Sequence, residues 1–353
     1  MNPLARHLVR RIAAEGPLSL AAYMAECLLH PEHGYYTGRE PFGAAGDFTT
    51  APEISQMFGE LLGLWCVQAW LDRGAPSPVH LVELGPGRGT LMADAWRAAG
   101  VVPAFRAAAR IHLVEASPRL RERQAAALAG APASWHDGLD DVPEGPTLLL
   151  ANEFFDALPI HQYVRGRAGW HERRVDWEEG RGLRFVLDPQ PAAVPLPLAA
   201  PEGSLVETSP AAAAVAAGIA ARLVRDGGAA LIVDYGYDRP AFGDTFQALR
   251  RHRPADPLEA PGERDLTAHV DFPALAAAAR AAGAAAFGPL TQGALLERLG
   301  IRERAGRLAA AAPDRAESVR AAAERLTGAE AMGTLFKALA LGRPADPPPP
   351  AFA

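Results

Sequence analysis

The strongest constraint on this chain is the run His80-Leu81-Val82-Glu83-Leu84-Gly85-Pro86-Gly87-Arg88-Gly89-Thr90. The stretch from Val79 to Leu84 is mostly apolar and predicts a short buried strand. Glycines then fall at every second position, and Leu91, Ala95 and Trp96 follow at helical spacing. Strand, tight glycine turn and helix form the opening of a nucleotide-binding α/β unit. Glycine lets the backbone turn sharply and approach a ligand closely. The helix N-terminus then offers free N–H groups to an anion. Thr90 stands where a dinucleotide fingerprint needs its third glycine, and no Gly-Lys-Ser/Thr follows. Neither a dinucleotide site nor a P-loop is therefore encoded.

Glu83 closes the strand, and a second apolar run, Ile111 to Val114, leads into another acid, Glu115. Acid-Leu-Gly-x-Gly-x-Gly with a later strand-end acid resembles the S-adenosylmethionine (SAM) site of class I methyltransferases. A ribose diol calls for a carboxylate, which Glu115 supplies, and the SAM carboxylate fits at the glycine turn. A tight turn without ligand is the competing reading. It is outweighed because strand, glycines and second acid agree.

With 353 residues, 49% of them hydrophobic and 22% charged, the chain suits a soluble protein of one large or two ordinary domains. A net charge of −6 predicts no nucleic-acid partner. No run reaches transmembrane length, so no membrane insertion is expected. Cys27 and Cys66 lie in helical patterns among apolar neighbours and read as small core residues, with no disulfide framework and no metal site. Arg6, Arg10 and Arg11 look faintly like a transit peptide, but Glu15 interrupts them and domain sequence begins almost at once. The expectation is a cytoplasmic protein. Its oligomeric state is left open.

Leu4, Leu8 and Ile12 mark one helix, and Ser19 caps a second through Leu28. A glycine-rich loop, 41–50, is followed by a helix opened by Pro52 and running to about Ala69. Further strands are expected at Ala133–Trp135, Thr147–Leu150, Ala229–Val233, Ala284–Phe287 and Thr334–Leu341. Helices are expected over about 210–225 and from an Asp271 cap to Ala282. Residues 160–188 alternate and suggest antiparallel strands in an insertion, with proline-rich loop after them. The four consecutive prolines within 343–353 predict a disordered tail.

Motifs from about Leu4 to Leu341 resemble the MidA-like SAM-dependent methyltransferases, the family that includes the mitochondrial complex I assembly methyltransferase. They are Gly34-Tyr35-Tyr36, Gly46-Asp47-Phe48-Thr49-Thr50-Ala51-Pro52-Glu53-Ile54-Ser55, the glycine turn, Val114-Glu115-Ala116-Ser117-Pro118 and Ala151-Asn152-Glu153-Phe154-Phe155-Asp156-Ala157-Leu158-Pro159. Asp234-Tyr235-Gly236, Thr245-Phe246-Gln247-Ala248, Asp265 to Phe272 and Met332 to Lys337 complete them. Phe246 departs from the expected leucine. The resemblance implies a class I, Rossmann-like α/β sheet with an N-terminal helical region and family-specific helical and β insertions. The expected division is a helical and lid region over 1–75, a core over 76–342 with an insertion at about 160–205, and the tail. It also implies protein arginine methylation, for the mitochondrial members on a respiratory complex I subunit. A small-molecule or other side-chain acceptor, and a non-catalytic assembly factor, are the alternatives.

Methyl transfer needs donor and nucleophile held in line with water excluded. A guanidinium acceptor also calls for carboxylates. Glu153 and Asp156, just past the fourth strand, and Asn152 beside them are the candidate catalytic residues. The competing reading has Asn152 and Asp156 cap a following helix. Candidate cofactor contacts are Glu83, Gly85, Pro86, Gly87, Gly89, Glu115, Ala116, Asn152 and Asp137, the last toward the adenine amino group. Asp47 and Thr50 join them from the glycine-rich loop, where an ordinary turn is the other reading for Asp47. His269 reads as a buried structural partner, and His161 as a weaker candidate still. Tyr235 and Tyr237 either line the acceptor pocket or pack.

Overall fold

A computed structural model of the chain describes residues 1–38, 50–196, 199–250 and 253–353. They group into two units. The first comprises Met1–Phe48, Asp156–Ala212 and Arg239–His269, and the second Thr49–Phe155, Ala213–Asp238 and Val270–Ala353.

The second unit is built on the expected α/β sheet, which is mixed. Its strands are β1 (Val79–Leu84), β2 (Ala109–Val114), β3 (Ala133–His136), β4 (Thr147–Asn152), β5 (Gly228–Tyr237), β6 (Ala285–Thr291) and β7 (Phe336–Gly342). They lie in the order β6-β7-β5-β4-β1-β2-β3, and the short strand Val270–Asp271 pairs with the end of β5. Only β7 runs antiparallel to its neighbours β5 and β6. Every residue of β1 and β4 is buried. That explains their mostly apolar sequences, because a central parallel strand is covered on both faces. The chain winds outward from β1 to β3, then returns to place β4 on the other side of β1. The order therefore reverses between β1 and β4. Open α/β sheets hold ligands at such a switch point, outside the carboxyl ends of the strands.

The helix expected from Pro52 is broken. A short turn of helix, Ala51–Ile54, is followed by extended backbone at Ser55, and then by α1 (Gln56–Leu71). The Ser55 hydroxyl accepts the Met57 N–H at 3.2 Å, so this serine caps a new helix instead of continuing the old one. Two further helices flank the sheet, α2 (Thr90–Ala98) and α3 (Pro118–Ala127). A Cβ on Gly63 of α1 would lie 2.6 Å from Ala95 Cα, so glycine there permits backbone-close packing on α2. Glu60, also on α1, is buried and ion-paired to Arg97 of α2 at 2.6 Å and to Arg304 at 2.7 Å. Glu60 and its two arginines must stay matched, since an unpaired buried charge is costly. Cys66 is fully buried in the same core, which pushes its thiol up, away from the reactive thiolate.

The tail over 343–353 is not loose. Trp65 Nε1 donates to Pro350 O at 2.9 Å, Arg298 to Ala351 O at 2.7 Å and Arg73 to Pro347 O at 3.1 Å, and Phe352 packs on the core. Proline carries no N–H, so a proline run is a strip of acceptors. Side-chain donors complete it here, and composition alone does not show them.

In the first unit the helices Pro3–Glu15 and Leu20–Leu29 are capped by the side chains of Asn2 and Ser19. They share an apolar core with Ile160, Val175, Phe246 and Leu266. The expected antiparallel insertion is present. Trp170–Glu178 pairs with Leu18–Ser19, His161–Arg165 and Gly182–Pro191, and Leu205–Thr208 pairs with His161–Arg165. Gln247–Arg250 pairs with Arg253–Ala255 and Asp265–Thr267 in a second small sheet. Cys27 is buried here, its thiol pushed up to about 12 by desolvation. Among the described residues no helix is long and apolar enough to cross a membrane.

Three histidines form a ladder across β1, β2 and β3. His80 Nδ1 lies 2.9 Å from His112 Nε2, and His112 Nδ1 lies 2.9 Å from His136 Nε2. At one end the Glu144 carbonyl faces His80 Nε2 at 3.1 Å. A carbonyl only accepts, so His80 donates there, and each neutral ring then accepts from the next. Burial holds all three below the usual histidine range, His112 at about 4. Unfolded His112 takes up a proton near its ordinary 6.5, while the folded ring resists until about 4. Stability is thus complete above that upper value and falls as pH drops through the window. Urea titrations across it are expected to show this fall, and a folded His112→Gln variant is expected to lose part of the slope.

Candidate functional site

The site grows from the end of β1. Gly85, Gly87 and Gly89 all adopt positive φ, at 61°, 52° and 81°. Gly89 N–H closes the turn on Pro86 O at 2.7 Å, and Gly89 sits at the N-cap of α2. Pro86 is buried under this turn. A Cβ on Gly85 would come within 2.8 Å of the Phe154 ring, so the loops after β1 and β4 touch here. Glu83 is buried within β1 and pushed up to about 8 by desolvation, relieved only by the Met92 backbone N–H. Its Oε2 has no hydrogen-bond partner.

Glu115 follows β2. Its Oε1 accepts Ser117 N–H at 2.8 Å and its Oε2 accepts Gln124 Nε2 at 3.2 Å. Burial raises its pKa against these bonds. Ala116 beside it is exposed. Gln124, fully buried on α3, was not singled out from the sequence. Its Nε2 also donates to Gly87 O at 2.8 Å, and its Oε1 accepts Trp135 Nε1 at 2.9 Å. The indole can only donate, which fixes the amide orientation. One side chain thus ties the glycine turn, the ribose candidate and β3 together. The only sequence signal is a glutamine on the same helix stripe as the apolar Leu120 and Leu128. Asp137 sits elsewhere in character. Its side chain is exposed and ion-paired to Arg121 at 2.5 Å.

At the end of β4, Asn152 is buried and donates from Nδ2 to Glu153 Oε1 at 3.1 Å. That fixes its amide and leaves Oδ1 buried without a partner. Glu153 Oε1 also accepts the Ala51 N–H at 2.9 Å, beside Thr50, whose own side chain makes no cap bond. Among the described residues Glu153 is one of few non-glycine residues at positive φ, 49°. Such backbone costs roughly 1–2 kcal/mol and collects at functional sites. No helix follows Asn152, so the capping reading fails. Phe154 and Phe155 instead donate their N–H groups to Asp234 Oδ2 at 3.2 and 3.0 Å.

Asp156 belongs to the first unit, where it is buried and its carbonyl accepts Ala268 N–H at 3.0 Å. His161 in that unit bonds Glu172 through Nδ1 at 2.7 Å. His269 donates its N–H to Thr245, and Asp271 caps the helix Phe272–Ala281 as anticipated. Tyr235 packs edge-on against Phe336. Asp47 and most of the 41–50 loop lie outside the described residues.

These features fit SAM on their own terms. A positive-φ glycine turn leaves room for backbone approach, and two buried oxygens without a partner, Glu83 Oε2 and Asn152 Oδ1, leave hydrogen-bonding capacity for a ligand. Gly85→Ala is expected to displace the Phe154 ring and to cost about 1–2 kcal/mol of stability from the left-handed backbone alone. S-adenosylhomocysteine affinity should fall with it. Thermal unfolding and calorimetric titration check both.

A protein-family profile described as a putative S-adenosyl-L-methionine-dependent methyltransferase matches residues 61–290. The chain is 42% identical over 328 residues to the Danio rerio protein arginine methyltransferase NDUFAF7, mitochondrial, covering 85% of this chain and 77% of that one. To the Drosophila melanogaster homolog it is 40% identical over 375 residues, covering 96% and 84%. A COG1565-superfamily protein from Burkholderia thailandensis, solved with bound S-adenosyl-homocysteine, superposes with a TM-score of 0.87 at 29% identity, over 99% of this chain and 94% of that one. These relatives correct one expectation. The curated ones are named as mitochondrial proteins, against the cytoplasmic placement drawn from the N-terminal residues. Profile, relatives and superposition agree with the glycine turn and its strand-end acids: the chain belongs to this family of SAM-dependent methyltransferases.

Proposed function

We propose that the chain methylates arginine side chains of a protein, a respiratory complex I subunit or a related one. The observation that carries the reading is the Glu153 turn. A carboxylate is held at strained backbone just past β4, with its Oε1 fixed by Ala51 N–H and Asn152 Nδ2. A guanidinium is gripped best by charge-assisted bonds to a carboxylate. The curated relatives, about 40% identical, are named protein arginine methyltransferases.

SAM supplies the electrophilic methyl group when bound. Glu115 would take its ribose, the turn Gly85-Pro86-Gly87 its carboxylate, and Glu83 or Asn152 its ammonium. Glu153 would orient the acceptor guanidinium and localise its charge away from the attacking nitrogen. The proton shed on methylation then has a carboxylate beside it. Phe154 over Gly85 contributes apolar cover that keeps water from the reacting atoms. A hydroxyl acceptor calls for a general base instead, typically histidine. None stands at this turn in the sequence, where the nearest downstream is His161.

Glu115→Ala is expected to weaken S-adenosylhomocysteine binding by about 1–3 kcal/mol, read by calorimetric titration. Glu153→Gln keeps the Oε1 acceptor and loses the charge. It is expected to leave cofactor affinity within a few-fold and to lower methyl transfer by at least about 10²-fold, or about 2.7 kcal/mol. Methylarginine in acid hydrolysates of protein from cells with and without the chain reads the acceptor directly. Equal methylarginine in both, with another methylated product changed, would move the assignment to a different acceptor.

A further inference from the structure

Asp234 ends the buried part of β5 and is fully inaccessible to solvent. A carboxylate in that position demands donors, because burial without them is prohibitive. Its Oδ2 accepts the N–H groups of Phe154 and Phe155 at 3.2 and 3.0 Å, and its Oδ1 accepts the N–H of Tyr235 at 2.9 Å. The first two donors are the residues directly after Glu153. Glu153 itself is pinned from the other side, since its own N–H donates to Val233 O at 2.9 Å. The backbone on both sides of position 153 is therefore anchored to consecutive residues of β5, Val233 and Asp234. Between those anchors Glu153 has φ 49°. Left-handed backbone at a non-glycine residue persists only where its surroundings over-determine it. Two of the anchors that do so are a main-chain carbonyl and one side chain.

We infer that Asp234 is a positioning residue for methyl transfer, setting the conformation of the Glu153 turn through the amides of Phe154 and Phe155. This rests on the proposed acceptor role of Glu153. Asp234 acts through that residue and contributes no contact to cofactor or acceptor in the inference. Its loss releases the turn after Asn152 toward ordinary backbone and carries the Glu153 carboxylate out of register, while Asn152 stays paired with Val233 in the sheet. The cofactor turn hangs on Gln124 and Glu115 instead, so cofactor affinity is left nearly intact.

A double-mutant cycle tests this on the full-length protein. Tritiated SAM is the donor, and protein extract from cells lacking the chain is the acceptor. Asp234→Asn keeps the volume but turns an NH₂ group toward one of the N–H sets. The initial rate at saturating SAM is expected to fall at least about 30-fold, with S-adenosylhomocysteine affinity within about 3-fold of wild type. In a Glu153→Gln background the same change is expected to cost less than about 3-fold more, because residues that act as a unit are not additive. Multiplicative losses beside an impaired Glu153→Gln single variant overturn the positioning role alone, as does a wild-type rate in folded Asp234→Asn. An unimpaired Glu153→Gln variant overturns the acceptor reading and this role with it. Wild-type hydrogen exchange needs no variant to fold. The amides of Phe154 and Phe155 should be protected at least about 10²-fold over their intrinsic rates without ligand, and exchange at intrinsic rates overturns the anchor.

Discussion

The carboxyl ends of β1 and β4 finish inside protein, where no water is at hand for the backbone groups that the sheet stops pairing. Each such N–H and C=O must find another partner, and the methyltransferase unit meets that demand with two buried side chains. Gln124 bonds Gly87 O and, through its other contacts, Glu115 and Trp135. Asp234 collects the amides of Phe154, Phe155 and Tyr235. One shapes the loop after β1, the other the loop after β4, and Phe154 against Gly85 joins the two loops. The same solution that makes the strand ends tolerable also anchors the candidate groups Glu115 and Glu153. The catalytic geometry proposed here would then follow from satisfying buried hydrogen bonds.

How much of this was legible depends on the sequence distance of each interaction. The glycine turn, the buried strands, and the caps at Ser19 and Asp271 are local, and were read correctly from spacing and residue type. Ser55 is also local, yet helix periodicity ran straight through it, since a serine fits either a helix interior or a cap until its hydroxyl finds the Met57 amide. The partners of Gln124, and the Phe154 and Phe155 amides held by Asp234, come from other strands and loops, so nothing beside them in the chain announces these bonds. Asp137 followed the right strand, but Arg121 on α3 draws its carboxylate into solvent. Asp156 stands three residues from Glu153 in the sequence and belongs to the other unit. The proline-rich tail misled through composition, because its partners Trp65, Arg73 and Arg298 are all remote.

Glu83 carries a consequence for solution behaviour. Pushed up to about 8, its carboxyl is mostly protonated near neutrality and sits with one oxygen unpartnered. An acid raised in the folded state stabilises it fully below the ordinary value of 4.5, and that contribution drains away as pH climbs toward 8. A cation seated against the orphan oxygen reverses the preference, because opposite charge favours the ionised form. If the ammonium of the cofactor were held there, as proposed, its loading would expel a proton. The heat measured on binding would follow the ionisation enthalpy of the buffer, and cofactor affinity would tighten toward alkaline pH. The glycine turn would thus report its occupancy as an acid released into solution.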